Sequence, residues 1–242
     1  WQPGKPQVRS LRFPAITSNE QAILSQIQGE IHWSANFVPA IDRIFVKRDP
    51  KHNHYWFPLV GSSVYLYPNH QRESLANVHV RRALSMAINR KRMVEIAAYN
   101  YARPSDATGL SDGYANWKDK SITGGDWIHF NPQQAAHELE QAGYKKKEDG
   151  WRYGPTGAPM LFELIVVSGW SDWQRAAQLV ARDAAKLGVR VRVKPFEYSA
   201  WWDRLQRGDF DLAIGWSVEG PTPYSCYRWL MSPRTLKPVG TP

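Results

Sequence analysis

Twelve tryptophans stand in this 242-residue chain, and theirs is the chemistry to explain first. An indole has a large flat apolar face and one hydrogen-bond donor at its edge. That suits the C–H face and hydroxyl rim of a pyranose, and it suits a peptide side chain or a hydrophobic core equally well. Two indoles fall where a strand of an α/β sheet empties into a loop, the usual place for a binding site. Trp170 lies in a Gly-Trp-Ser turn after the apolar run LFELIVVS, and Trp216 ends the run FDLAIGW, beside Ser217 and Glu219. For these two, the residues alone leave ligand contact and core packing both open. Trp201 and Trp202 are adjacent on a short helical segment, so they point to different sides. Trp117, Trp127 and Trp151 sit in loop-like stretches, where packing under the loop is expected.

Catalytic constellations are scarce. The chain has no GxSxG, HExxH, GxGxxG or GxxxxGK[ST] motif. His52 and His54 form an HxH pair without further ligands nearby, which reads as a solvated loop and not a metal site. Asp209 and Asp211 are expected in a turn and at a strand start. Nothing in the pattern faces them into one cleft about 5–10 Å apart, as glycoside hydrolysis requires. The expectation is no catalytic residue, no metal and no cofactor.

The net charge of +9 raises nucleic acid or an anionic surface as a partner. The clusters Arg81-Arg82, Arg90-Lys91-Arg92 and Lys145-Lys146-Lys147 lie on three separate elements, and no RNA-type stacking motif interleaves with them. A solvated basic surface, suited to life beside an anionic membrane, is the reading; nucleic acid is not expected. A single Cys, Cys226, excludes an intrachain disulfide. No apolar run approaches the ~18 residues of a membrane span.

The elements that must position these residues follow from periodicity. Ser18 with Gln21 marks a helix start and Gly29 its stop. Val80, Ala83, Leu84, Ala87 and Ile88 recur at helical spacing, and Asn89 caps a second helix. Asn131 and Pro132 open another, and Trp173, Ala177, Val180 and Ala184 line one more, with Ser171 as its expected cap. Ser199 is the expected cap of the helix AWWDRLQRG. Strands are expected at VRSLRF, within YWFPLVGSSVYLYPN, at LFELIVVS, at the alternating VRVRVKPFE and at FDLAIGW. The segment KKKEDGWRYGPTGAPM reads as a hairpin, WQPGKP as a turn, residues 102–130 as a long loop, and SVEGPTPYSCYRW as a loop. Alternating strands and helices make the class α/β or mixed α+β.

In this order the segments resemble the family-5 extracellular solute-binding proteins, the peptide, nickel and oligosaccharide receptors of ABC importers. The resemblance rests on WQPGKP, RSLRF and NEQAILSQIQGEIHWS, with His32 where the family usually has Asp. It continues through VHVRRALSMAINRKRMVE (Asn89 for Asp), NPQQAAHELEQAGY with its hairpin, and LGVRVRVKPFEYSAWWDRLQRGDFDLAIGW. It implies a type II periplasmic-binding-protein-like lobe with a mixed sheet and flanking helices, within an incomplete two-lobed architecture. Residues 1–59 are then part of lobe I and the hinge-proximal segment, and residues 60–242 most of lobe II. The chain looks like an internal fragment, so a leader or lipid anchor would lie outside it.

The resemblance further implies a non-enzymatic, monomeric receptor at the periplasmic or extracellular face of the membrane, delivering its ligand to the ABC permease. Glu219 falls where peptide receptors of the family carry an Asp for the peptide amino terminus. PTPYSCYRWL and LKPVG look more like the oligosaccharide branch, and the neutral Gln174 suits hydroxyl recognition. The expected site is therefore Trp170 and Trp216 stacking on sugar rings, with Gln174, Glu219 and Tyr224 bonding hydroxyls; an oligopeptide is the runner-up ligand.

Overall fold

The computed structural model describes residues 4, 7–58, 61–122, 125–235 and 237–238. The turn expected at WQPGKP lies outside them except for Gly4, and of LKPVG only Lys237 and Pro238 are described. In chain order the helices are α1 (Asn19–Ile27), α2 (Ile41–Ile44), α3 (Glu73–Ala76), α4 (Val78–Ala87), α5 (Arg90–Ile96), α6 (Pro132–Gln141), α7 (Ser171–Lys186), α8 (Tyr198–Arg207) and α9 (Tyr224–Met231). The strands are β1 (Val64–Pro68), β2 (Lys145–Lys146), β3 (Arg152–Tyr153), β4 (Leu161–Val167), β5 (Arg190–Phe196) and β6 (Leu212–Trp216).

Four strands form one mixed sheet in the order β1-β6-β4-β5. β4 runs parallel to both neighbours, β5 and β6, while β1 is antiparallel to β6 with Val64 opposite Trp216. Leu164, Ile165, Val166 and Val167 of central β4 are all buried, as a strand covered on both faces requires. β5 lies at the sheet edge, so its basic residues alternate with the half-buried Val191 and Val193. The crossover helix α7 buries Trp173, Ala177, Val180 and Ala184 along one stripe, and α8 makes the next crossover. Helices α4 and α6 contribute Val80, Ala83, Leu84, Ala135 and Leu139 to the same core. The architecture is thus mixed α/β with a mixed sheet.

Side-chain caps set several boundaries. The Ser18 hydroxyl accepts from the Gln21 N–H (3.1 Å), Asn89 Oδ1 from the Arg92 N–H (2.9 Å), and Asn131 Oδ1 from the Gln134 N–H (3.0 Å). The hairpin of β2 and β3 forms as expected. Ser171 and Ser199 do not cap. Ser171 is the first residue of α7 and Ser199 lies inside α8, and the flanking Trp170 and Glu197 make no side-chain cap bond. Residues 8–13 form no strand. Val8, Leu11 and Phe13 are exposed, with no ladder partner among the described residues to hold them. Among the described residues of YWFPLVGSSVYLYPN only β1 is a strand. The stretch read as a loop after β6 contains α9, whose helical period spans only eight residues.

The long segment 102–130 holds short 3-10 turns at Asp112–Trp117 and Asp126–Ile128. Its Leu110 and Tyr114 pack with Cys226 of α9 in a small second core. Trp117 and Trp127 are exposed, against the expectation that both pack under the loop. Trp151 is covered by the Arg190 guanidinium, 4.5 Å from its ring centre. Part of the basic surface is structural as well. Arg81 donates to the carbonyls of Leu75 and Ala76, and Arg90 to those of Ser85 and Ile128. Arg152 is buried, bonding Leu187, Tyr144 and Glu140.

Candidate functional site: an aromatic platform beside a glycine-lined cleft

Parallel β4 and β6 end at the same edge of the sheet, and antiparallel β1 begins there. Three segments therefore meet at one place: the turn after β4, the loop after β6 and the residues before β1. Trp170 stands three residues past β4 and Trp216 closes β6, with ring centres 5.8 Å apart. Trp173 of α7 meets Trp170 edge-on at 4.8 Å. From α8, Trp201 and Trp202 stack on Trp216 at 5.6 and 6.4 Å, and Tyr198 at 6.5 Å.

The cluster has an inside and an outside. Trp201 is 0% exposed, whereas Tyr198 is exposed and Trp170, Trp202 and Trp216 are part-exposed. The adjacent indoles of α8 differ in burial, one in the core and one at its margin, but their rings lie 5.9 Å apart and both meet Trp216, against the expectation that they point to different sides. The backbone of Trp216 is held from β1: the Tyr67 hydroxyl donates to the Trp216 carbonyl at 2.8 Å, and burial pushes that phenol up to about 12.

Beside the platform the chain forms a cleft of about 420 Å³, lined by Gly61, Gly113, Tyr114, Glu219, Gly220 and Pro221. That volume lies in the range of small-ligand sites. The Ser63 N–H donates to the Ser217 hydroxyl (3.2 Å) and the Ser217 N–H to the Ser63 carbonyl (3.1 Å), so the two loops are laced together. The Ser62 hydroxyl donates to Glu219 Oε1 at 2.9 Å. Buried Tyr114 forms the back wall: its hydroxyl donates to the Gly220 carbonyl (2.8 Å) and accepts from the Gly220 N–H (3.1 Å). A Cβ on Gly61 would lie 2.7 Å from that hydroxyl, so the wall needs glycine in front of it. Among the described residues, Glu219 is the one carboxylate of the lining.

Of the five residues expected at the site, the structure brings Trp170 and Trp216 into ring contact and sets Glu219 three residues beyond Trp216, in the cleft. Gln174 sits one α7 turn after Trp170, half-buried, its N–H bonded to the Trp170 carbonyl (2.9 Å). Tyr224 opens α9 and is 70% exposed; no ring contact or hydrogen bond joins it to the other four among the described residues. The sequence reading missed Tyr198, Trp202 and Tyr114 as site residues. Trp202 had a signal, its adjacency to a core indole; Tyr198 and Tyr114 had none.

The residues weighed for other chemistry each have a partner. Asp211 is held by Arg72 (2.7 Å) and accepts from the Glu163 N–H (2.8 Å), while Asp209 pairs with Arg204. Each carboxylate thus has its own partner. His52 bonds Asp49 and His54 the Lys51 carbonyl, both local contacts. Among the described residues no group of three or more His, Cys, Asp or Glu is arranged to hold a metal, and no helix is long and apolar enough to cross a membrane.

Comparison with known proteins bears on the same region. Residues 1–237 match the family described as "Bacterial extracellular solute-binding proteins, family 5 Middle". A probable ABC transporter-binding protein of Deinococcus radiodurans is 30% identical over 166 residues, 62% of this chain and 27% of the relative. The peptide transport periplasmic protein SapA of Salmonella typhimurium is 25% identical over 199 residues, 80% of this chain and 33% of the relative. Among solved structures, the mannohexaose-bound periplasmic oligopeptide-binding protein of Thermotoga maritima superposes with TM-score 0.84 at 26% identity. That match covers 93% of this chain and 43% of the other. The Bacillus subtilis oligopeptide-binding protein AppA, in complex with a nonapeptide, gives TM-score 0.72 at 25% identity over 86% of this chain and 41% of its own. The chain thus spans a third or less of these curated relatives and under half of these solved chains.

Proposed function

This chain belongs to the family-5 bacterial extracellular solute-binding proteins, and from that premise we propose that the whole protein is the oligosaccharide receptor of an ABC importer. It captures its ligand between two lobes at the periplasmic or extracellular face of the membrane, where the family resides, and hands it to the permease without chemical change. Residues 1–59 belong to lobe I and residues 60–242 form most of lobe II. The observation that carries the reading is the platform: part-exposed Trp170, Trp202 and Trp216, with exposed Tyr198, at the strand ends beside a cleft holding one carboxylate.

Rings of this kind stack on the apolar face of a pyranose, whose hydroxyl rim then turns to polar groups. Glu219 and Ser62 supply an acceptor and a donor in the cleft, Gln174 an amide one turn from Trp170, and Tyr224 a phenol from α9. The likeness to the mannohexaose-bound protein supports a sugar. Ligand binding closes the lobes because the closed state offers the ligand more contacts than the open one.

An oligopeptide is the second reading, favoured by the Glu219 carboxylate, which suits a peptide amino terminus, and by the peptide-binding relatives. Calorimetry on the full-length protein with cello- and manno-oligosaccharides, set against di- to pentapeptides, separates the two. Heat from the sugars supports the first reading. Heat from peptides with a silent sugar series replaces it with the second.

A further inference from the structure

The start of α1 is fastened to the turn that carries Trp170. Gly169 has φ +78°, and a Cβ there would lie 2.3 Å from the Thr17 carbonyl oxygen, closer than a side chain tolerates, and 3.0 Å from the Ser18 Cα. The Asn19 N–H donates to the Gly169 carbonyl at 2.9 Å. The Asn19 side chain, only 8% exposed, donates from Nδ2 to the Ser171 hydroxyl (3.3 Å) and to Asp172 Oδ1 (3.2 Å). Two helix N-termini, those of α1 and α7, thus meet around residues 169–172. A carboxylate is well placed there, because helix N-termini carry partial positive charge. Burial nonetheless raises the Asp172 carboxyl above the usual range, against the opposing pull of the α7 backbone and Asn19.

The bonds span more than 150 positions of sequence, and of residues 7–58 only Asn19, Ala22 and Val38 are buried. Asn19 is the polar member of that small set, and its Nδ2 donates to two acceptors at the α7 start. A buried amide that lost those acceptors would carry the cost of an unmade hydrogen bond.

We infer that Asn19 and Gly169 are positioning residues for ligand capture, clasping residues 17–19 to the turn 169–172 and so setting the place of Trp170. The inference rests on residues 1–59 and 60–242 belonging to opposite lobes; the clasp is then made across the cleft and forms as the lobes close. Asn19 touches no ligand in this account: it acts through Trp170 and through closure. Gly169 is required because only a residue without Cβ lets the Thr17 carbonyl come so near.

The test uses the full-length receptor with spin labels at Glu30→Cys and Gln206→Cys, both exposed sites, Cys226 being buried. Distance distributions are recorded with and without the oligosaccharide and peptide panel, for wild type, Asn19→Ala and Gly169→Ala. The expected result is a short-distance population in wild type that shrinks in both variants. Kd for the bound panel member should rise about tenfold in Asn19→Ala, the loss of one or two buried hydrogen bonds. Thermal unfolding of the ligand-free protein should change little in Asn19→Ala, which separates positioning from general destabilisation.

Variants with the wild-type distance distribution and affinity overturn the inference, and so does a wild type with no short-distance population under any condition. Should Gly169→Ala fail to fold, Asn19→Ala decides. Should no panel member bind, the proposed function fails by itself, and the ligand-free distance distributions still decide the clasp.

Discussion

Two aromatic regions of this molecule have similar composition and opposite surroundings. At the ends of β4 and β6, Trp170, Trp173, Trp201, Trp202 and Trp216 join a core that includes Leu164, Ile165 and Ala213, and exposed Tyr198 meets Trp170, Trp201 and Trp216 from α8. In the other region, Trp33 stacks on Trp56 at 6.4 Å and Tyr55 meets Phe57 at 5.3 Å, yet Trp33 is 66% and Trp56 62% exposed. That second region touches the body of the fold through a few polar-tipped groups. The Tyr101 hydroxyl accepts from the Ile41 N–H at 3.2 Å, and the Arg175 guanidinium lies over Phe37 and Tyr99 at 5.4 and 5.3 Å. Ring content therefore says little about role. A ring's work is set by whether a sheet stands behind it: with one, some rings become core and hold their neighbours for contact; without one, they remain surface.

The contrast is broken or sharpened most by truncating one ring from each region. Trp201→Ala should destabilise the chain by about 3–5 kcal/mol, the usual cost of deleting a large buried ring. Trp33→Ala should stay within ~0.5 kcal/mol, as exposed substitutions do. Urea unfolding of the 242-residue chain measures both, and equal losses would erase the distinction. Next in size is the effect on binding. Trp170→Ala should weaken the full-length protein's ligand by about 2 kcal/mol, a loss of roughly 30-fold typical of a ring anchor, whereas Trp56→Ala should leave calorimetric Kd within about threefold.

A smaller effect separates the two ligand readings within the first region. Glu219→Gln should cost an oligosaccharide about 1 kcal/mol, the difference between a hydrogen bond to a carboxylate and one to a neutral amide oxygen. A peptide amino terminus would lose its charge partner and fall further, so a loss beyond about 30-fold in titration would favour the peptide. The smallest effect is in pH. The folded pKa of Asp172 is raised by burial, so its ionised form costs stability at neutral pH, and the cost is relieved as pH falls through that folded value. Asp172→Asn should therefore be the more stable protein at neutral pH, with the melting-temperature gap shrinking on acidification. A gap that widens in acid would reverse the assignment.

Much of the fold was legible because the signals are local. The caps Ser18, Asn89 and Asn131 act within three residues of themselves, and the helical stripe of α7 and the apolar runs of β4 and β6 need only their own periodicity. Where the reading failed, a partner was needed. Residues 8–13 carry a strand-like composition but no ladder partner among the described residues. Ser171 and Ser199 are good cap types at positions where the chain had already begun to turn. The helix α9 is opened by a run of Pro, Thr and Gly that resembles loop, yet Cys226 packs it against Leu110 and Tyr114 from far along the chain.

The candidate site divides in the same way. Trp170 and Trp216 were legible as strand-end residues, since strand ends show in the sequence as the point where an apolar run stops. That they touch, and that Tyr198 and Trp202 join them while Tyr224 stands apart, follows from β4 lying beside β6 with α8 packed against their ends. The sequence by itself determined most of the elements, the family and the residue types present at each strand end, because these depend on short-range periodicity and segment order. Only the tertiary structure decided which rings are core, which are platform, and that Asn19 reaches Asp172, because strand order and helix packing bring together groups that no local pattern connects.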